Sequence, residues 1–149
     1  AHFHYTLMGA ALTGAVAGLV YWFPKMTGRM MNEKGSLISF LLVQGGFQIL
    51  YLGMFIAGAQ GQPRRVAAFA QDYSLSNMIS TGGAYLIGVG FIVLLWAVVH
   101  SWRHGDVAPM NPWGAKSLEW TVPYPVPLVN FDTPPVVTSD PYGFGRSEK

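Results

Sequence analysis

Charged and apolar residues are segregated along this chain into long blocks. No Asp, Glu, Lys or Arg occurs in three stretches, at residues 1–24, 35–63 and 73–102. A helix that crosses about 30 Å of hydrocarbon needs roughly 20 apolar residues at a rise of about 1.5 Å per residue. The pattern therefore predicts three transmembrane helices separated by short charged loops. Their expected bounds are about residues 1–23, 37–58 and 78–102.

The amino-acid composition also favours a membrane protein. Of the 149 residues, 51% are hydrophobic and 11% are charged, and the mean hydropathy is +0.31. A soluble domain usually carries about 25% charged residues, so this chain has too few to cover a water-facing surface. The net charge of +2 is too small to indicate nucleic-acid binding, and the lack of cysteine excludes disulfides and thiolate metal sites. We expect an all-α membrane segment over residues 1–106.

Residues 107–149 have a different composition, with eight of the ten prolines of the chain. Proline fixes φ and removes a backbone donor, so this region is predicted to be an extended tail and not a fourth helix. Its aromatic residues could dock on a protein surface, and a disordered terminus is the alternative. These aromatic residues are Trp113, Trp120, Tyr124 and Phe131.

The distribution of basic residues predicts an orientation in the membrane. Three spans place the first loop and the tail on one side, and the loop after the second span on the other. The first loop carries three basic residues and the tail begins with Arg103, whereas the other loop carries Arg64 and Arg65. The positive-inside rule then places the first loop and the tail on the cytoplasmic side.

Two histidines, His2 and His4, stand at the start of the first apolar run. Successive residues of an α-helix turn by about 100°, so positions two apart point about 200° from each other. The two imidazoles therefore cannot chelate one ion, but they can reach two partners on opposite faces. Imidazole is a common axial ligand of haem iron. The alternative is a pair of ordinary polar residues at the mouth of a helix.

Arg64 and Arg65 follow Pro63 at the end of the second predicted span. Adjacent guanidinium groups repel each other, so the pair is favoured where anions such as haem propionates or lipid phosphates offset the charge. A solvated interfacial pair is the alternative. With three spans, the arginines and the two histidines come to the same membrane depth, which favours a shared cofactor.

The other polar and small residues of the predicted spans point to packing. Gln44 and Gln48 lie one turn apart in mid-membrane and should face protein or water. His100 and His104 are also one turn apart, and an interfacial pair is favoured over a metal site. Glycines recur in all three spans and allow close helix approach in lipid. They are Gly9, Gly14, Gly18, Gly45, Gly46, Gly53, Gly82, Gly83, Gly88 and Gly90.

Several motifs resemble the C-terminal part of subunit I of the haem–copper oxidases, and are similar in particular to the cytochrome c oxidase type. The resemblance covers essentially the whole chain, and the HFHY signature with a downstream PRR is specific. The motifs are AHFHYTL (1–7), YWFPKMTGRMMNE (21–33), GQPRR (61–65), NMISTGGAYL (77–86) and LEWTVPYPVP…NFDTPPVV (118–137). The family fold is a twelve-helix bundle, of which this chain would supply the last three helices.

The resemblance also implies roles for individual residues. His2 matches the proximal ligand of the high-spin haem iron, and His4 one of two axial ligands of the low-spin haem iron. Phe3 matches the aromatic residue between the haems, while Arg64 and Arg65 match the arginines that pair with haem propionates. Two haems are therefore expected, and haem a is the expected type. The copper of the binuclear centre would be bound by residues outside this chain.

The implied function is that of a proton-pumping terminal oxidase in a bacterial plasma membrane or mitochondrial inner membrane. Electrons would pass from the low-spin haem to the haem–copper centre, where oxygen is reduced to water. The expected partners are the remainder of subunit I, oxidase subunits II and III, and cytochrome c or another electron donor. A quinol oxidase of the same superfamily and a membrane scaffold subunit that binds no haem are the alternatives.

The sequence departs from the family pattern at Gly53, Phe55 and Gln62, which replace the usual Pro, His and Met. We expect altered packing at the end of the second span without loss of the haem ligands. The copper ligands and proton-channel acids belong to earlier helices of the family. No signal peptide is expected, and the start at Ala1 indicates processing, an internal fragment or a split polypeptide. The chain alone is thus not expected to be a catalyst.

Overall fold

The computed structural model describes residues 1–124 and 126–136. Within these residues the regular secondary structure is helical. Three helical segments are long and apolar enough to cross a membrane, and they span His2–Thr27, Glu33–Ala59 and Gln71–His104. The prediction of an all-α fold with three membrane-capable helices is confirmed.

The first span is built from three pieces. Helix α1 covers His2–Leu7, a π-helical turn covers Met8–Leu12, and α2 covers Thr13–Thr27. The predicted end at Phe23 is wrong, because Pro24 lies inside α2. The proline carbonyl still accepts from the amide of Gly28 at 2.8 Å, and Gly28 ends the helix with a left-handed φ of 70°.

The second and third spans also extend beyond their predicted bounds. Helix α3 covers Glu33–Ala59, four residues earlier than expected, because the Oδ1 of Asn32 caps it by accepting from the Gly35 amide at 2.7 Å. Helix α4 covers Ser74–His104 and follows a short 3₁₀ turn. The predictions followed the apolar runs alone, whereas capped helices continue through polar residues at the membrane surface.

Helices α3 and α4 pack closely along glycines that face each other. A Cβ atom built on Gly46 would lie 2.7 Å from the carbonyl oxygen of Gly83, and one on Gly90 would lie 2.9 Å from the amide nitrogen of Val43. The predicted packing role is confirmed at these positions. Among the glycines predicted to pack, those without a neighbour within 4 Å in the described part of the chain are Gly14, Gly45, Gly82 and Gly88, and their packing inside a larger bundle stays a prediction.

The first loop and the start of the tail are paired at one end of the three helices. The Met30 amide donates to the Asp106 carbonyl at 2.8 Å, and the Ala108 amide donates to the Gly28 carbonyl at 2.9 Å. The guanidinium of Arg29 donates to the Gly105 carbonyl at 2.7 Å. Both connections therefore lie at the same end of the molecule, as three spans require.

The tail returns to the first span through its tryptophans. Trp120 is 1% exposed, and its indole N–H donates to the hydroxyl of Tyr21 at 2.8 Å. The indole N–H of Trp113 donates to the Tyr21 carbonyl at 3.0 Å. The Lys25 ammonium lies 5.4 Å from the centre of the Trp120 ring and donates to the Val122 carbonyl. These two aromatic side chains dock on the chain itself.

The tail has little regular structure in the part that the structure describes. A 3₁₀ turn over Leu118–Trp120 is its longest regular element as far as residue 136, excluding Pro125. The remainder of the predicted tail, residues 137–149, lies outside the described residues.

Candidate functional site

A cavity of about 900 Å³ opens at the end of the helices opposite the first loop. The beginning of α1, the end of α3, the loop after α3 and the start of α4 form its walls. It is lined by Ala1, His2, Phe3, His4, Met54, Ala57, Gly58, Gln62, Pro63, Arg64, Arg65, Val66 and Asn77. The five residues that the sequence singled out as a site therefore border one space.

The histidines reach this cavity from the first turn of α1. Because both lie in an α-helix two positions apart, their side chains leave the axis about 200° from each other. Phe3 lies between them, is 67% exposed, and its ring centre is 5.3 Å from that of His4 at an interplanar angle of 77°. Neither imidazole has a hydrogen-bond partner among the described residues, so both remain available as ligands.

The arginines come from the loop that follows α3. Arg64 and Arg65 are exposed, and neither makes an ion pair with a residue in the described ranges. Arg65 has φ of 55°, a left-handed conformation that costs a residue with a Cβ atom of order 1 kcal/mol. The backbone therefore turns sharply between the two guanidinium groups.

Amide side chains hold this loop against α4. The Nδ2 of Asn77 donates to the Oε1 of Gln62 at 3.0 Å and to the Tyr73 carbonyl at 2.9 Å. Asn77 lines the cavity, yet only its place in a family-like motif marked it in the sequence. An isolated Asn near a helix start gives no signal for a partner fifteen positions away.

The cavity is electropositive in its chemistry. Its lining includes two guanidinium groups and two imidazoles, and none of its lining residues is acidic. Guanidinium groups bind carboxylates in a bidentate manner, and imidazole nitrogens bind iron. This donor set fits a metal-bearing cofactor with acidic substituents, and haem has both features.

Comparison with known proteins gives the chain a family. Residues 1–86 match the family model described as "Cytochrome C and Quinol oxidase polypeptide I". The chain is also 41% identical over 145 residues to the "Cytochrome c oxidase subunit 1" of Thermostichus vulcanus. The proteins of that name from Corynebacterium glutamicum and Synechocystis sp. are 41% and 38% identical over 144 residues. The chain belongs to the haem–copper oxidase subunit I family.

The matches cover most of this chain and a small part of its relatives. They include 97%, 94% and 97% of the chain, but 26%, 25% and 26% of the three relatives in the same order. The chain therefore spans about a quarter of the length of these oxidase subunits, and it matches their C-terminal segment. Family membership and the three apolar helices identify an integral membrane protein.

Two of the departures from the oxidase pattern have visible roles in packing. Gly53 is buried, and a Cβ atom there would lie 2.8 Å from the carbonyl oxygen of Ser76 in α4. The ring of Phe55 lies 5.8 Å from that of Tyr5 in α1. Helix α3 is regular through both positions, since a glycine leaves the backbone N–H that a proline would remove.

One contact between the oxidase helices was missed in the sequence. Gln48 was predicted to face protein or water, and its Oε1 accepts a hydrogen bond from the Tyr5 hydroxyl at 2.9 Å. Gln44 borders a separate apolar cavity of about 450 Å³ between the first span and α3. The tyrosine immediately follows His4, but sequence alone could not join residues 43 positions apart.

His100 and His104 lie at the other end of the oxidase segment. Their ring centres are 5.3 Å apart at 30°, and the His100 ring stacks on Trp96 at 5.1 Å. In the described part of the chain, no three His, Cys, Asp or Glu side chains form a group that could hold a metal ion. The interfacial pair that the sequence favoured stays a prediction.

Proposed function

We propose that this chain is the haem-ligating C-terminal segment of the catalytic subunit of a proton-pumping terminal oxidase. The single observation that carries the proposal is the shared cavity, bordered by both histidines of the HFHY signature and both arginines of the PRR motif. The three relatives bear the name cytochrome c oxidase subunit 1, which favours cytochrome c over quinol as the electron donor.

Each histidine would ligate a different iron. His2 would hold the iron of the high-spin haem, and His4 would hold the iron of the low-spin haem. The spacing of two residues in α1 supports this assignment, because one ion cannot be reached from both faces of a helix. Phe3 would lie between the two haems as an apolar spacer.

The arginines would bind the acidic edge of the cofactor. Arg64 and Arg65 carry fixed positive charge, and the absence of acidic residues from the cavity lining leaves that charge for a ligand. Bidentate pairing with propionates would orient the cofactor and raise its reduction potential by opposing the positive charge of the oxidised iron. When bound, two haems and one copper would supply the electron-transfer and oxygen chemistry. Haem a is the type that we propose.

The rest of the site would come from partners. Copper ligands, the second ligand of the low-spin haem and the proton path are assigned to the remainder of subunit I, with subunits II and III completing the complex. We place the first loop and the tail on the cytoplasmic side of a bacterial plasma membrane, since the basic residues of Lys25–Lys34 and Arg103 cluster at that end.

Replacement of His4 tests the proposal. We expect His4→Ala to remove the low-spin haem band while the complex still assembles, because His4 is exposed and its loss leaves no core cavity. The measurement is a reduced-minus-oxidised spectrum with a pyridine haemochrome assay on the tagged membrane complex. His104→Ala, at the opposite end of the segment, is the matched control and should leave the spectrum unchanged.

Two other results would decide between the alternatives. A wild-type complex without haem, or a spectrum that survives replacement of both His2 and His4, would establish the scaffold subunit and reject haem ligation. Two haems with oxidation of quinol and not of cytochrome c would establish the quinol oxidase of the same family. The family description includes both donors, so turnover with each donor is measured on the same preparation.

A further inference from the structure

The histidine-bearing helix α1 is attached to α3 through one of its residues. The Tyr5 hydroxyl donates to Gln48 at 2.9 Å. The Tyr5 ring packs against three aromatic rings of α3, with centres 4.8 Å from Phe47 and 5.8 Å from both Tyr51 and Phe55. None of the residues of α1 is buried, and Tyr5 supplies the hydrogen bond and the ring contacts that join this helix to α3.

A second contact follows one turn later. The Tyr51 hydroxyl lies 3.0 Å from the sulfur of Met8, the first residue of the π-helical turn. A thioether is a weak acceptor, so this contact contributes less than the bond to Gln48. Together they join two consecutive turns of the first span to a single stretch of α3.

The π-helical turn makes this attachment important for the direction of the histidines. A π turn contains an extra residue, so α1 does not continue the rotational register of α2. The Thr13 hydroxyl also donates to the carbonyls of Met8 and Gly9. The π-helical turn therefore offsets α1 from the register of α2, and the contacts of Tyr5 with α3 hold α1 at that offset.

Helical geometry links Tyr5 to both imidazoles. Tyr5 follows His4 by one position and His2 by three, so their side chains leave the axis about 100° and 300° from that of Tyr5. A rotation of α1 that broke the bond to Gln48 would turn both histidines by the same angle. Outer residues that orient metal ligands commonly tune the metal site in this way.

We propose that Gln48, acting through Tyr5, is a positioning residue that fixes the orientation of the His4 and His2 imidazoles. The inference rests on the proposed haem ligation and adds a residue from mid-membrane that contacts neither the cavity nor a ligand. A side-chain amide in lipid needs a hydrogen-bond partner, and the Tyr5 hydroxyl donates to that of Gln48. Breaking this bond would leave two polar groups without a partner in an apolar environment, which is unfavourable in free energy.

The test uses Gln48→Leu and Tyr5→Phe in the complete membrane complex. Each variant removes the hydrogen bond, and Tyr5→Phe keeps the ring that packs on Phe47. We expect both variants to retain two haems and to shift the low-spin electron paramagnetic resonance signal and the reduced absorbance maximum. The double variant should shift them no further than one single variant, because both changes remove the same bond.

Gln44→Leu is the matched control, since Gln44 lies one turn away on α3 and has no bond to α1 among the described residues. It should leave both signals at their wild-type positions. Equal shifts in the control, or additive shifts in the double variant, would overturn the inference, because either would indicate a general packing effect. Should Gln48→Leu fail to assemble, Tyr5→Phe alone decides, since it removes one oxygen atom.

The outcomes also separate this inference from the haem assignment. Wild-type spectra in Gln48→Leu and Tyr5→Phe, with loss of the low-spin band in His4→Ala, would overturn positioning and leave ligation standing. An unchanged spectrum in His4→Ala would overturn ligation and with it the positioning of a ligand. Shifted spectra in Gln48→Leu and Tyr5→Phe, with two haems retained, would support both haem ligation and positioning.

Discussion

The two ends of this three-helix segment differ in whether their polar side chains have partners within the chain. At the loop end, polar groups find partners within the chain, as Arg29 does at the Gly105 carbonyl and Trp120 at the Tyr21 hydroxyl. At the cavity end, the side chains of Arg64, Arg65 and both histidines have no hydrogen bond or ion pair to any of the described residues. One end is completed by its own sequence, whereas the other presents ligating groups.

This difference indicates where stability and function reside. Contacts at the loop end bury side chains and should contribute to the free energy of unfolding. Exposed side chains at the cavity end should contribute little to it, because substitutions away from packed positions usually change stability by about 0.5 kcal/mol or less. Substitutions at the two ends should therefore separate into stability effects and cofactor effects.

Trp120→Ala should give the largest change in stability. Its ring is buried against the first span, and removing a buried tryptophan costs about 3–5 kcal/mol. We expect a lower denaturation midpoint and faster proteolysis of the tail in the detergent-solubilised protein, with the haem content unchanged. Trp113→Ala is the control, since Trp113 is 42% exposed and should cost about 1 kcal/mol for its one bond to Tyr21. Equal costs for both would contradict the burial argument.

Asn32→Ala should have a smaller effect at the same end. It removes the acceptor of the Gly35 amide at the start of α3 and should cost about 1 kcal/mol. Asn32→Asp keeps an acceptor there and places negative charge at the helix N-terminus, so it should remain within about 0.5 kcal/mol of wild type. The denaturation midpoints of the two variants test this, and equal losses would assign the effect to something other than the cap.

Arg64→Gln should change stability least and cofactor properties most. Arg64 is exposed with no ion pair in the described part of the chain, so the denaturation midpoint should not move. Under the proposed function, loss of its positive charge favours oxidised iron and should lower one haem midpoint potential by tens of millivolts. Redox titration measures this, with Arg103→Gln at the loop end as control. Identical titrations for both variants would count against propionate pairing.

The sequence predicted the spans well because lipid imposes a strong rule on charge. Three charge-free runs were enough to count the helices, but not to find their ends. Pro24 was predicted to end the first helix. A proline lacks the backbone N–H, but its carbonyl can still accept a hydrogen bond, as that of Pro24 does from the Gly28 amide. Asn32 and Gly28 are the local signals that would have corrected both boundaries.

The site was less completely predictable for a physical reason. A shared site for the histidines and arginines followed from topology alone, since three spans bring the start of the first helix and the end of the second to the same side of the membrane. Contacts such as Tyr5 with Gln48 depend on the rotation of one helix against another. The π-helical turn at Met8–Leu12 alters that rotation, and no periodicity in a five-residue stretch reveals it.

The pairing of the first loop with the tail also has a consequence for biosynthesis. Tyr21 is translated 99 residues before Trp120. The hydrogen bond from the Met30 amide likewise cannot form before Asp106 has been synthesised. All three spans have therefore left the ribosome before this end can close. Burial of the Trp120 indole is thus a late event in the life of the nascent chain, and its fluorescence would report the completion of insertion.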